Sequence, residues 1–126
     1  MKTVLMADPV RYPRMNTDEL RDTFLLSALC APGQLHLNYV DLDRAVVGFA
    51  APLDAPIALL TDPDLRATYF TGRRELGALN IGGAGIITVE GKSCDLNNLD
   101  VLYIGRGNKQ VTFASIDKTA PAVYYL

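Results

Sequence analysis

Ala78-Leu79-Asn80-Ile81-Gly82-Gly83-Ala84-Gly85-Ile86-Ile87-Thr88-Val89-Glu90-Gly91 is two short apolar runs rich in β-branched residues, parted by one glycine cluster and closed by a turn. Ala78 to Ile81 and Ile86 to Val89 each have the length and composition of a strand. Outward from this stretch the pattern repeats: Val101 to Ile104, Val111 to Ala114 and Ala122 to Tyr125 are further runs, with Asn97-Asn98, Gly107-Asn108 and Pro121 in the gaps. Strands spaced by roughly eight to twelve residues, with turn chemistry between them, point to a sandwich or barrel rather than to alternating strands and helices. The expectation is a mainly β fold, a jelly roll with one flanking helix.

Upstream, Leu35, Leu37 and Tyr39 alternate with His36, Asn38 and Val40, the period of a half-buried strand. Ala45 to Ala51 and Ile57 to Leu60 are short apolar runs bounded by turns or prolines. Residues 62–75 read equally as a short helix or a loop. Residues 1–15 read as an irregular lead-in through Pro9 and Pro13, and residues 16–29 as the one helix. Asn16 is its cap, and Glu19 stands three positions on, where its carboxylate reaches back to the cap amide. Leu20, Phe24, Leu25, Ala28 and Leu29 form its apolar stripe, and Pro32-Gly33 ends it.

Hydrophobic residues make up 49% and charged residues 21% of the 126, an ordinary globular balance. Twelve basic and fourteen acidic residues are interspersed with no basic stripe, which argues against nucleic acid or an anionic membrane as partner. No run of about eighteen apolar residues exists to cross a membrane, and Met1 to Pro9 turns polar too quickly for a signal peptide. A cytoplasmic protein is expected, with Cys30 and Cys94 as reduced, partly buried thiols.

Few residues offer chemistry. Gly83-Ala84-Gly85 and Gly105-Arg106-Gly107 resemble phosphate loops only superficially, because strands rather than helix N-termini follow them. They read as tight turns or places of close backbone approach. Arg73-Arg74-Glu75 sets two guanidiniums and a carboxylate just ahead of a strand. The arrangement suits an ion-pair cluster at an interface, or else a clamp on a substrate carboxylate, and the interface is preferred. His36 is the single histidine, and one imidazole supplies neither a nucleophile pair nor a metal cage. With Asp41 and Asp43 it has HxxxxDxD spacing, enough for a weak oxygen-rich metal site, although turn-forming aspartates explain the pair more simply. Phe113, Tyr103, Tyr124 and Tyr125 read as core or interface aromatics.

Leu20-Arg21, Phe24-Leu25, Asp43-Arg44 and Gly48 begin a resemblance that becomes dense from Tyr69 onward. Arg73-Arg74-Glu75-Leu76-Gly77 and Asn80-Ile81-Gly82-Gly83-Ala84-Gly85 are its most specific part. Asp100-Val101-Leu102-Tyr103-Ile104-Gly105, Phe113-Ala114-Ser115-Ile116-Asp117 and Pro121-Ala122 support it. The chain resembles the amino-terminal half of the 5-keto-4-deoxyuronate isomerases of pectin and uronate catabolism. The resemblance implies a protein about twice this size, with two cupin-like barrels and assembly as a homo-oligomer. It implies interconversion of 5-keto-4-deoxyuronate and 2,5-diketo-3-deoxygluconate with a bound zinc, held by three histidines and a glutamate of the second barrel. None of those positions exists in this sequence, so no metal or catalytic residue is carried over. The expectation is therefore an amino-terminal domain, cut inside a strand at Tyr124-Tyr125-Leu126 and inactive alone. A free-standing sugar-binding or scaffolding domain is the alternative. Arg73, Arg74, Glu75 and His36 remain as candidate substrate or interface residues.

Overall fold

The computed structural model describes all 126 residues, and its strands form two sheets packed face to face. The strands are β1 (Lys2–Val4), β2 (Leu35–Val40), β3 (Ala45–Ala50), β4 (Ile57–Ala58), β5 (Leu76–Asn80), β6 (Gly85–Val89), β7 (Lys92–Leu96), β8 (Val101–Ile104), β9 (Val111–Ser115) and β10 (Tyr124–Tyr125). One sheet runs β1-β2-β3-β10-β5-β8 and the other β4-β9-β6-β7. Without β1 and β2, the eight remaining strands form two four-stranded sheets in which the first pairs with the last and the second with the seventh. That is the double Greek key of a jelly roll, and it confirms the expected class.

The alternation read in the sequence explains the packing. Along β5, Leu76, Ala78 and Asn80 are buried, and along β9 Val111 and Phe113 are buried, with Ile87 of β6 opposite them. Phe113 and Tyr124 meet at the centre with ring centroids 5.4 Å apart. Full burial of an apolar side chain such as Phe113 or Ile87 contributes about 1.5–3 kcal/mol each. Tyr124 carries its hydroxyl across the sandwich and donates to the Ala114 carbonyl at 2.9 Å. Burial pushes that phenol up to about 12.

Two turns fix the sheets. Glu90 and Gly91 both hold positive φ, 48° and 78°, the two-residue hairpin geometry that suits strand twist between β6 and β7. Gly83 and Gly85 instead permit close approach: a Cβ would collide with the Ala120 carbonyl at the first and with the Tyr124 hydroxyl at the second. Beside them the fully buried Asn80 amide donates to the carbonyls of Gly83, Leu96 and Asn97 at 2.8, 3.0 and 3.2 Å. Its oxygen accepts from the Gly82 amide at 3.1 Å, so one side chain knits β5, the glycine turn and the end of β7.

Several elements differ from the sequence reading. The helix α1 spans Thr17–Phe24, not residues 16–29, although its capping box of Asn16 and Glu19 is present as expected. Ala28 takes a left-handed φ of 56°, which no continuing helix allows, and Leu20, Phe24 and Leu25 remain exposed. The lead-in is not wholly irregular, because Lys2–Val4 pairs parallel with β2. Residues 62–75 resolve into two 3-10 turns, Pro63–Leu65 and Phe70–Gly72, joined by loop. β7 has no counterpart in the sequence reading, and Cys30 is exposed rather than partly buried.

Candidate functional site

The residues Arg73, Arg74 and Glu75 are consecutive, with Arg73 in a bend (φ −130°, ψ 6°) that leads toward β5, and their side chains meet different surroundings. Arg74 is half-buried with its guanidinium carbon 5.6 Å from the Phe70 ring centroid, and its Nε is buried without a hydrogen-bond partner. Glu75 turns to the Tyr103 hydroxyl on β8. The hydrogen bond that this phenol gives Glu75, with some burial, holds it protonated above its ordinary range. Arg73 is exposed and lines a recess of about 220 Å³ with Arg66, Ala67, Thr68, Tyr69 and Gly72. Within the chain these three residues make no ion pair with one another, and both of its ion pairs lie elsewhere.

Two loops build this end of the molecule. The Gly107 amide donates to the Thr71 carbonyl at 3.0 Å, and the fully buried Thr71 hydroxyl donates to the Asn108 carbonyl. The Thr61 hydroxyl donates to the Ala67 carbonyl at 3.1 Å. These bonds bring Lys109 over Tyr69, with the ammonium 5.9 Å from the ring centroid, within cation–π range. Arg66 reaches the recess from a left-handed backbone (φ 48°, ψ 41°) at the end of the Pro63–Leu65 turn. Sequence reasoning missed Arg66, Tyr69 and Lys109 as a group. Tyr69 opened the dense stretch of the resemblance, but nothing local ties position 69 to position 109.

His36 is not brought to this end. It pairs across β2 and β3 with Phe49, at the level of Leu79 and Tyr125, whereas Arg73 precedes the opposite end of β5. Its Nε2 lies 2.8 Å from the Gln34 side-chain oxygen, and it borders a cleft of about 450 Å³ with Met1, Ala28 and Leu29. Asp41 accepts from the Met6 amide at 2.9 Å, a structural bond rather than half of a metal site. A second recess, about 290 Å³, opens between the edges of the two sheets and is lined by Glu90, Cys94, Leu102, Tyr103 and Asn108 among others. Nowhere do three His, Cys, Asp or Glu side chains converge where they could hold a metal ion. No helix is long and apolar enough to cross a membrane.

Strand connectivity defines a jelly-roll domain, the class that includes cupins. The chain is similar over nearly its whole length to the amino-terminal portion of the 4-deoxy-L-threo-5-hexosulose-uronate ketol-isomerases. It is 42% identical over 120 residues to that of Formosa agariphila, covering 95% of this chain and 43% of the relative. It is 40% identical over 126 residues to that of Levilactobacillus brevis, covering all of this chain and 45% of the relative. The chain thus spans less than half the length of these curated relatives. No protein-family model matches it. Among solved structures, the EutQ proteins of Salmonella typhimurium and Clostridium difficile align over 72% of the chain, and over 64% and 65% of theirs. They do so at 16% and 14% identity and TM-scores of 0.48 and 0.45, too low to carry an argument.

Proposed function

We propose that this chain serves as the amino-terminal domain of a zinc-dependent uronate ketol-isomerase that converts 5-keto-4-deoxyuronate to 2,5-diketo-3-deoxygluconate in cytoplasmic pectin and uronate catabolism. The observation that carries the reading is identity of about two residues in five to proteins of that name along 95–100% of the chain. Ketol isomerisation moves a proton between adjacent carbons, so it needs a base at the carbon and an electrophile at the developing oxyanion. A zinc ion acts as such an electrophile and generally takes about three protein ligands. His36 stands apart from Arg73, Arg74 and Glu75, and no donor cluster supports that chemistry within residues 1–126. The domain's part in the reaction is to support assembly of a homo-oligomer and to shape the approach of an anionic sugar.

The test is turnover of 5-keto-4-deoxyuronate, followed by NMR, for the product of the intact gene and for the 126-residue chain with and without added zinc. The intact product is expected to isomerise and the short chain to be inert. An inert, well-folded intact product overturns the isomerase reading. Turnover by the short chain overturns the assignment of the chemistry to residues outside it.

A further inference from the structure

Arg66 and Arg73 line one open recess, and Lys109 lies over the Tyr69 ring that lines it too. Neither ion pair of the chain includes them, and no acidic side chain lines the recess that Arg66 and Arg73 share. Glu90, the carboxylate bonded beside Lys109, accepts from the backbone amides of Lys109 and Gln110. Arg66 keeps a long side chain at a left-handed position where glycine would be free of strain. Tyr69 lines the recess with both arginines and has the Lys109 ammonium 5.9 Å from its ring centroid.

We infer that this recess is an anion subsite, in which the Arg66 and Arg73 guanidiniums grip the carboxylate of an acidic sugar against the Tyr69 ring. Its volume, about 220 Å³, holds a carboxylate and one edge of a pyranose or open-chain sugar rather than a whole ligand. A planar carboxylate accepts two parallel N–H bonds from one guanidinium and a single bond from a second, and an aromatic ring suits the apolar face of a sugar. Lys109 adds long-range attraction over Tyr69. The identity of the ligand as a uronate rests on the isomerase reading; the cationic recess does not. The site is open to solvent, so its affinity is modest and falls with salt.

The test is a titration of the isotope-labelled 126-residue chain with sodium galacturonate, galactose and inorganic phosphate, following backbone amide resonances. Galacturonate is expected to shift residues 66–73 saturably, and galactose to leave them unmoved. In the R66A/R73A double variant the dissociation constant rises by about tenfold or more, with signal dispersion unchanged. Should that variant unfold, R66K/R73K keeps the charges but loses the forks, and an intermediate weakening is expected. Equal shifts with galactose, unchanged binding by the folded variants, or saturation by phosphate alone overturns the inference. In the intact gene product the same substitutions are expected to raise KM with kcat little changed. Galacturonate binding without isomerase activity would instead overturn the isomerase reading and leave the subsite standing.

Discussion

Glu90 shows how a single side chain can serve two structures. Its backbone is left-handed, φ 48°, for the turn between β6 and β7, and its carboxylate reaches over to the strand beyond. There it accepts from the Gln110 amide at 2.9 Å and from the Lys109 amide, and these bonds hold the carboxyl below its usual 4.5. The sign follows directly. A carboxyl that ionises more easily in the folded chain contributes its stability above 4.5 and loses it as pH falls through the lower folded value. Glu90→Gln is expected to lower the urea midpoint at pH 7, with the gap to the parent closing on acidification below about pH 4. A gap that stays constant from pH 7 to pH 3 would show that the charge contributes nothing. The same scale separates three residues that are adjacent in sequence. Arg73, Arg74 and Glu75 follow one another, yet the chain bends at Arg73 (φ −130°, ψ 6°) on its way to β5. One faces a recess, one lies over Phe70 and one meets Tyr103.

At the scale of elements, the core strands were legible because they carry β-branched and aromatic residues in alternation, as in Ile86 to Val89 and Val111 to Ala114. β7 was not: Lys92-Ser93-Cys94-Asp95-Leu96 is an edge strand of the four-stranded sheet, largely in solvent, and its composition carries little apolar signal. The helix start was legible in its capping box, a local feature. Its end was not, because Leu25 and Leu29 continue the apolar spacing although no neighbour covers that stripe. The glycine stretch permits a sharper test. Gly83 abuts the Ala120 backbone, so Gly83→Ala must push two chain segments apart and is expected to cost about 1–3 kcal/mol. Gly77, on β5, has nothing within 4 Å of where a Cβ would stand. Gly77→Ala is expected to be neutral or to stabilise by about 0.5–1 kcal/mol. Chemical denaturation of both variants checks the contrast, and equal effects would mean that close approach does not explain the glycine cluster.

For the molecule as a whole, the two faces of the six-stranded sheet have unequal fates. The inner face is buried on the other sheet. The outer face carries the row Phe49, Tyr125, Leu79 and Val101, with Tyr103 beside it, and Phe49 and Tyr125 stack at 5.3 Å. Val101 is 68% and Tyr103 64% exposed, and both stand on β8, whose far edge has no partner strand. An open edge with outward apolar side chains is an invitation to pairing. A second copy of the chain fits it best, because antiparallel β8 against β8 about a two-fold axis joins two sheets and sets each apolar row beside its own image. The chain is therefore expected to associate as concentration rises in sedimentation velocity. The Val101→Lys, Tyr103→Lys double variant is expected to remain monomeric, since charges on an edge repel their own copies. Its melting temperature should stay close to the parent's at low concentration, because each exposed substitution changes stability by only about 0.5 kcal/mol. A parent chain that sediments as a monomer throughout would overturn the predicted association, and a variant that associates as the parent does would place the self-association surface away from β8.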